Sequence, residues 1–187
     1  MKEKDKEKEK KLERGVETFF KTASRNHMQL SSMADNKAHI LLSINSIIIS
    51  LVISVFAKRL EQSPYLIFPT ALLMAVCLAS VVFAVKTTQP KISGGVFTKD
   101  QVANREANLM FFGNFHKMDL ETYDWGVREL IRDNEYLYGS MTRDVYYLGK
   151  VLAIKYRFLN IGYKVFMFGL IASVLAFAIC FAIGPKL

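Results

Sequence analysis

Cysteine is scarce in this chain, with two residues in 187. Two thiols build neither a disulfide framework nor a zinc cluster. Both Cys77 and Cys180 fall in apolar runs, where a thiol reads as a small apolar side chain. Histidine is nearly as rare, and His27, His39 and His116 show no metal spacing such as His-Glu-x-x-His. The lone Gly-Gly at 94–95 reads as a turn, because no Lys-Ser/Thr follows to complete a phosphate loop. Asp119, Glu121 and Asp124 suit the start of a helix, where the dipole favours negative charge. No catalytic set, metal site or cofactor site is therefore expected. Residues 16–56 contain no Pro and no Gly, which leaves nothing to interrupt a helix there. Strand-like alternation is absent too. The first 37 residues hold no apolar core of the kind a signal peptide needs, so insertion is expected to be driven by the first span.

The most informative absence is of charge. No Asp, Glu, Lys or Arg falls within residues 38–56, 65–85 or 165–183. Nineteen helical residues reach about 28 Å, close to the hydrocarbon thickness of a bilayer. Each run is thus long enough to cross a membrane. Outside them the chain is basic, with 25 Lys and Arg against 17 Asp and Glu. Ten of the cations lie in residues 1–37 and twelve in residues 86–164, whereas the loop 57–64 has two and the tail has Lys186. Lys and Arg counts near the spans set orientation. The N-terminus and the middle segment are therefore expected in the cytoplasm, with the loop 57–64 and the tail outside. Charge here sets topology, and no nucleic-acid partner is expected.

The expected fold is an all-α membrane protein. Three transmembrane helices carry a helical cytosolic bundle formed by the N-terminal helix extension and the segment between spans two and three. Residues 1–15 form a charged flexible run of Lys and Glu, read as a solvated helical extension or, less simply, as a contact for anionic headgroups. Residues 16–37 form a cytosolic helix continuous with the span 38–56. Val16, Phe19, Phe20, Ala23, His27, Leu30 and Ala34 follow three- and four-residue spacing along it. Ser63-Pro64 reads as the cap and first residue of the helix containing the span 65–85, with Pro69 near its start. The segment 86–164 opens with a loop over 87–96. Thr98-Lys-Asp-Gln101 then resembles a capping box starting a helix to about Phe112. A second helix is expected from about Asp119 to Glu135. A third is expected from about Tyr138 through the span 165–183.

Two helical faces could carry function. On residues 141–160, Met141, Val145, Leu148, Leu152 and Leu159 form a core stripe. Opposite lie Arg143, Tyr147, Lys150, Ile154 and Arg157. Cations beside an aromatic ring suit an anionic ligand with a flat base, through bidentate and point-charge phosphate contacts and stacking. The simpler reading of the same residues is a solvated face whose long side chains snorkel near a membrane. Along span one, Asn36, His39, Ser43, Ser46, Ser50 and Ser54 share a face. That file could line a water-filled path among several copies, or it could be a packing seam. Asn45, off this file, is expected to hydrogen-bond a neighbouring helix. Gly169-x-x-x-Ser173 and Ala172-x-x-x-Ala176 on span three are small-residue packing motifs.

Three stretches together resemble the transmembrane effector family of Pycsar antiphage systems, PycTM. They are Leu30-Ser-Ser-Met-Ala-Asp-Asn-Lys-Ala-His-Ile-Leu-Leu-Ser-Ile-Asn-Ser46, Phe111-Phe-Gly-Asn-Phe115 and Met141-Thr-Arg-Asp-Val-Tyr-Tyr-Leu-Gly-Lys-Val-Leu-Ala-Ile-Lys-Tyr-Arg157. They occur in the right order around the right spans, and the resemblance covers most of the chain from about Phe19. It implies a non-enzymatic membrane effector working beside a pyrimidine cyclase that makes 3′,5′-cyclic CMP or cyclic UMP on infection. Sensing that messenger would impair the bacterial inner membrane and arrest growth, as an abortive infection. A homo-oligomer in the lipid bilayer is expected, with the middle segment as sensor. The resemblance carries over no residue-level binding pattern, but it draws attention to Asp35, Asn36, Lys37, Tyr156 and Arg157, where two helices meet the membrane. The nucleotide-binding candidates are accordingly Arg143, Tyr147, Lys150, Arg157, Asn36 and Lys37. The membrane-path candidates are His39, Ser43, Ser46, Ser50 and Ser54. Phe111 to Phe115 reads as core, pocket wall or both. The rival readings are a constitutive small channel or transporter subunit, and a membrane anchor recruiting a cytosolic partner.

Overall fold

The computed structural model describes residues 2–59, 63–90 and 94–183. Among these, five α-helices and two short 3-10 turns occur and no strand. Helix α1 runs Lys2–Arg59, α2 Ile67–Thr88, α3 Lys99–Ala103, α4 Leu120–Arg132 and α5 Asn134–Ile183. Three stretches are long and apolar enough to cross a membrane: Lys6–Val55, Pro64–Thr88 and Asn134–Ile183. The expected all-α architecture is thus observed, with three helices long and apolar enough to span a membrane. Residues 60–62 and 184–187, which belong to the loop and tail expected outside, lie beyond the described residues.

The chain divides into two compact units. One, here the aromatic unit, comprises Met1–Leu30 and Pro90–Leu152; the other, the spanning unit, comprises Ser31–Gln89 and Ala153–Leu187. Helices α1 and α5 each contribute to both.

In the aromatic unit, Phe97, Val102, Ala107, Leu109, Leu130 and Tyr136 are buried, with Phe115, Met118, Tyr123, Trp125 and Leu137 packed against them. The capping box opens α3 as expected. Thr98 Oγ1 accepts from the Gln101 N–H at 3.2 Å, and Gln101 Oε1 accepts from the Thr98 N–H at 2.9 Å. The helix then stops at Ala103 instead of reaching Phe112. Arg105 adopts a left-handed φ of 58°, and the Glu106 and Ala107 N–H groups fold back onto the Gln101 carbonyl at 2.8 and 3.1 Å. A left-handed residue after a helix normally is Gly. Here Arg105 is held by ion pairs to Asp133 at 2.6 Å and Glu135 at 2.7 Å. The turn sends Ala107 and Leu109 into the core, which a continued helix could not do.

Asp119 caps α4 by accepting the Thr122 N–H at 2.8 Å, and that bond holds its carboxyl below the ordinary range. Helix α4 ends at Arg132 and α5 begins at Asn134, four residues before the expected Tyr138. Asp133 explains both shifts. Its Oδ1 accepts from the Glu135 and Tyr136 N–H groups at 3.0 and 3.1 Å, supplying a cap to α5 without any Gly or Pro. Gly95 sits at φ 82°, with its carbonyl accepting the Lys117 N–H at 3.0 Å. A Cβ there would lie 2.5 Å from the His116 ring, so only glycine lets the loop come this close.

The spanning unit packs by small residues. Ala34, Ala38, Leu41, Ala84 and Leu159 are buried together, joined by Leu42, Tyr156 and Phe166. Asn45 donates to the Leu41 carbonyl at 2.7 Å and to Ser80 Oγ at 3.2 Å, and Ser80 donates to the Gly162 carbonyl at 3.4 Å. One polar node therefore links α1, α2 and α5, as expected for an Asn buried among spans. Gly169 of α5 lies so close to Val76 of α2 that a Cβ would overlap the valine side chain. Ser173 is buried one turn on, donating to the Gly169 carbonyl at 2.8 Å. The first small-residue motif on span three is thus a packing contact. In the second, Ala172 is exposed. At Ser63, the side chain caps nothing; its carbonyl instead accepts the Leu66 N–H at 3.0 Å to form the 3-10 turn Pro64–Leu66. Pro69 is buried in the first turn of α2, where its missing N–H has no helical partner to lose.

Candidate functional site

In the aromatic unit a cavity of ≈ 340 Å³ is lined by Glu17, Phe20, Lys21 and Ser24 of α1, and by Met110, Met141, Asp144 and Val145. The α1 residues stand at i, i+3, i+4 and i+7, one face of a helix. Met141 and Val145 belong to the core stripe of α5, so the stripe is part core and part cavity wall. Asn108 aims the remaining parts. Its amide donates to Asp144 Oδ1 at 3.1 Å while its own Oδ1 accepts the Met110 N–H at 3.0 Å. Asn114 in turn donates to the Asn108 carbonyl at 2.8 Å. The Phe-Phe-Gly-Asn-Phe stretch thus contributes through its Asn. Phe115 packs on the core, with its ring 4.4 Å from that of Tyr123, while Phe112 is exposed.

The cavity offers one ammonium, one hydroxyl and two carboxylates around apolar walls. An ammonium and a hydroxyl suit a singly charged phosphodiester, carboxylates accept from hydroxyl or exocyclic amine groups, and thioethers and Phe suit a flat base. None of the six nucleotide-binding candidates lines it. Tyr147 and Lys150 are exposed on α5, with Tyr147 edge-on to Tyr146 and the Lys150 ammonium 5.7 Å from the Tyr146 ring centre. Arg143 departs from the expected solvated face. It is half-buried, and its Nε has no hydrogen-bond partner among the described residues. It lies two turns from Tyr136, whose hydroxyl donates to the Ala107 carbonyl at 3.0 Å. Burial pushes the Tyr136 phenol up, and the Arg143 charge acts the other way. Helix α5 is therefore packed on two sides here, which an amphipathic reading with one core stripe does not anticipate.

In the spanning unit, Lys37 lines a groove of ≈ 620 Å³ with Tyr156, Leu159, Asn160 and Tyr163. The Tyr163 hydroxyl donates to the Lys37 carbonyl at 3.2 Å. Asn36 and Arg157 are exposed and lie outside that lining. The Lys155 ammonium donates to both Asp35 oxygens at 2.8 Å and to Ser31 Oγ at 2.9 Å, a linkage between α1 and α5 absent from the expected site. His39, Ser43, Ser46, Ser50 and Ser54 are all exposed. Their file is not the seam within this chain; the packed face of α1 carries Ala34, Ala38, Leu41, Asn45 and Val52. A serine hydroxyl can be satisfied by the carbonyl one turn back on its own helix, whereas an Asn amide has more groups to satisfy, so the Asn turns inward.

Among the described residues no group of three His, Cys, Asp or Glu could hold a metal ion. The sequence model of the Pycsar effector protein domain, PycTM, matches residues 18–182. The chain belongs to the Pycsar effector family. The match spans both units, starting in α1 after the Lys/Glu run and ending near the end of α5. Comparison with curated proteins and with solved structures gives no match. Membership makes this PycTM chain an effector of antiphage defence, in keeping with its three apolar helices.

Proposed function

We propose that this Pycsar effector senses a cyclic pyrimidine nucleotide, cyclic CMP or cyclic UMP, in its aromatic unit and responds by impairing the inner membrane through its spanning unit. The single observation that carries the reading is the combination, in one Pycsar effector chain, of a ligand-sized cavity and a separate three-helix membrane unit, with α1 and α5 belonging to both. A volume of ≈ 340 Å³ falls at the small end of ligand pockets. Lys21 and Ser24 would take the phosphodiester, Glu17 and Asp144 the ribose or base edge, and Phe20, Met110 and Met141 the base. A companion cyclase supplies the messenger, and copies of the chain assemble in the bilayer with the aromatic unit on the cytoplasmic side. The ligand acts only so far as it binds the active arrangement better than the resting one.

The test is membrane polarisation, read with a voltage-sensitive dye in cells that express the chain and receive cyclic CMP or cyclic UMP. Depolarisation and growth arrest are expected with one of them; unchanged potential and growth with both overturns the proposal. Binding by the purified protein separates the cavity from the exposed face. Lys21→Gln is expected to weaken binding about tenfold, the loss of one charged hydrogen bond, while Lys150→Gln leaves it unchanged.

A further inference from the structure

Around the cation-bearing ends of the spans, the spanning unit carries Lys37 on α1, Lys86 on α2, and Lys155, Arg157 and Lys164 on α5. Asp35 is the one carboxylate among its described residues, and Lys155 engages it. Lys86 lies over the Phe158 ring. Lys37 has no carboxylate within ion-pair distance among the described residues, and it lines the ≈ 620 Å³ groove with Tyr156, Leu159, Asn160 and Tyr163. We propose that this groove binds the phosphodiester headgroup of an anionic phospholipid.

The position favours a lipid. Lys37 directly precedes the first apolar run, and Tyr163 stands two residues before the third, so the groove lies at the polar–apolar boundary of both helices. Tyrosines gather at that level in membrane proteins, and basic pockets between spans take lipid headgroups. The apolar surface continues on the same faces. Ile40 and Ile44 lie within about 60° of Lys37 around α1, and Met167 and Ile171 within about 80° of Asn160 and Tyr163 around α5. All four are at least 40% exposed. A headgroup site followed by bare apolar helix faces fits a molecule with an anionic head and two hydrocarbon chains. A cyclic nucleotide has the same phosphodiester charge but no chain, and would leave those faces uncovered. This inference does not rest on the proposed nucleotide site, which lies in the other unit.

The experiment is native mass spectrometry of the full chain released from nanodiscs of phosphatidylglycerol or phosphatidylcholine. Retention of phosphatidylglycerol over phosphatidylcholine is expected. Lys37→Gln should reduce it about fivefold, the worth of one lysine at a membrane surface, and Lys164→Gln, outside the groove, should not. Equal retention of the two lipids, or an equal loss in Lys164→Gln, overturns the site in favour of diffuse charge. Displacement of phosphatidylglycerol by added cyclic CMP also overturns it, because the groove would then be a messenger site. Should Lys37→Gln fail to fold, Asn160→Leu gives the same readout: loss of retention supports the groove, and full retention refutes it.

Discussion

The two units hold together by different physics. The aromatic unit buries large rings behind short irregular segments, and its loops are pinned by side chains such as Asn108, Asp119 and Asp133 that satisfy backbone groups. Burying rings from water supplies a hydrophobic gain, and polar side chains then fix the turns. The spanning unit has little such gain if lipid is its solvent, since lipid chains are as apolar as leucine. It relies instead on close approach at Ala34, Ala38 and Gly169 and on one polar node at Asn45. Shape matters more in the second unit, and side-chain hydrogen bonding more in the first.

That contrast can be broken by substitution. The largest effect is expected at Gly169→Val, where a side chain must enter space held by Val76; overpacking costs about 1–3 kcal/mol. Thermal unfolding in micelles should show the loss, and adding Val76→Ala should recover much of it, because the two sites share one volume. A Gly169→Val protein as stable as the wild type would remove shape as the spanning unit's main determinant. Tyr136→Phe comes next, leaving the Ala107 carbonyl buried without its donor at a cost of about 1–2 kcal/mol. Hydrogen exchange over residues 105–109 should rise while that of α2 stays unchanged. Asn45→Leu should cost less, about 0.6 kcal/mol on average for such a bond between spans. A larger penalty at Asn45 than at Tyr136 would reverse the contrast.

The smallest effect concerns pH. The Thr122 N–H depresses the Asp119 carboxyl, so its contribution is complete above the ordinary carboxylate value of about 4. It is lost as pH falls through the depressed value, since the unfolded chain then takes up the proton first. Asp119→Asn keeps a capping side chain without the titration, and its thermal stability should vary less below pH 4 than the wild type's. A parallel decline in both proteins would assign the acid sensitivity elsewhere.

What could be read from the chain itself follows the range of the forces. The three spans are legible because the absence of charge over nineteen or more residues is a local property. Asn45 is legible because an amide among apolar neighbours demands a partner, and the Thr98 box because its partners stand three residues apart. The end of α3 was not, since Arg105 holds its left-handed turn through Asp133 and Glu135, some thirty residues on. The cavity escaped for the same reason: Asn108 and Asp144 are separated by 36 positions. Of its α1 wall, only Phe20 is among the apolar positions whose spacing marks that helix. The outward turn of the serine file was not readable, because the inward and outward faces of a spanning helix can both be apolar.

The interleaving of the units has a consequence for synthesis. Each is made of one early and one late piece of chain, Met1–Leu30 with Pro90–Leu152 and Ser31–Gln89 with Ala153–Leu187. A ribosome that has finished α4 has therefore completed neither. Both close only as α5 emerges, the first unit on its opening half and the second on its closing half. A chain cut short before Ala153 lacks the α5 part of the spanning unit, with Lys155, Gly162 and Gly169, and its α1 and α2 have nothing to complete them. Assembly of both units is thereby withheld until α5 has been made.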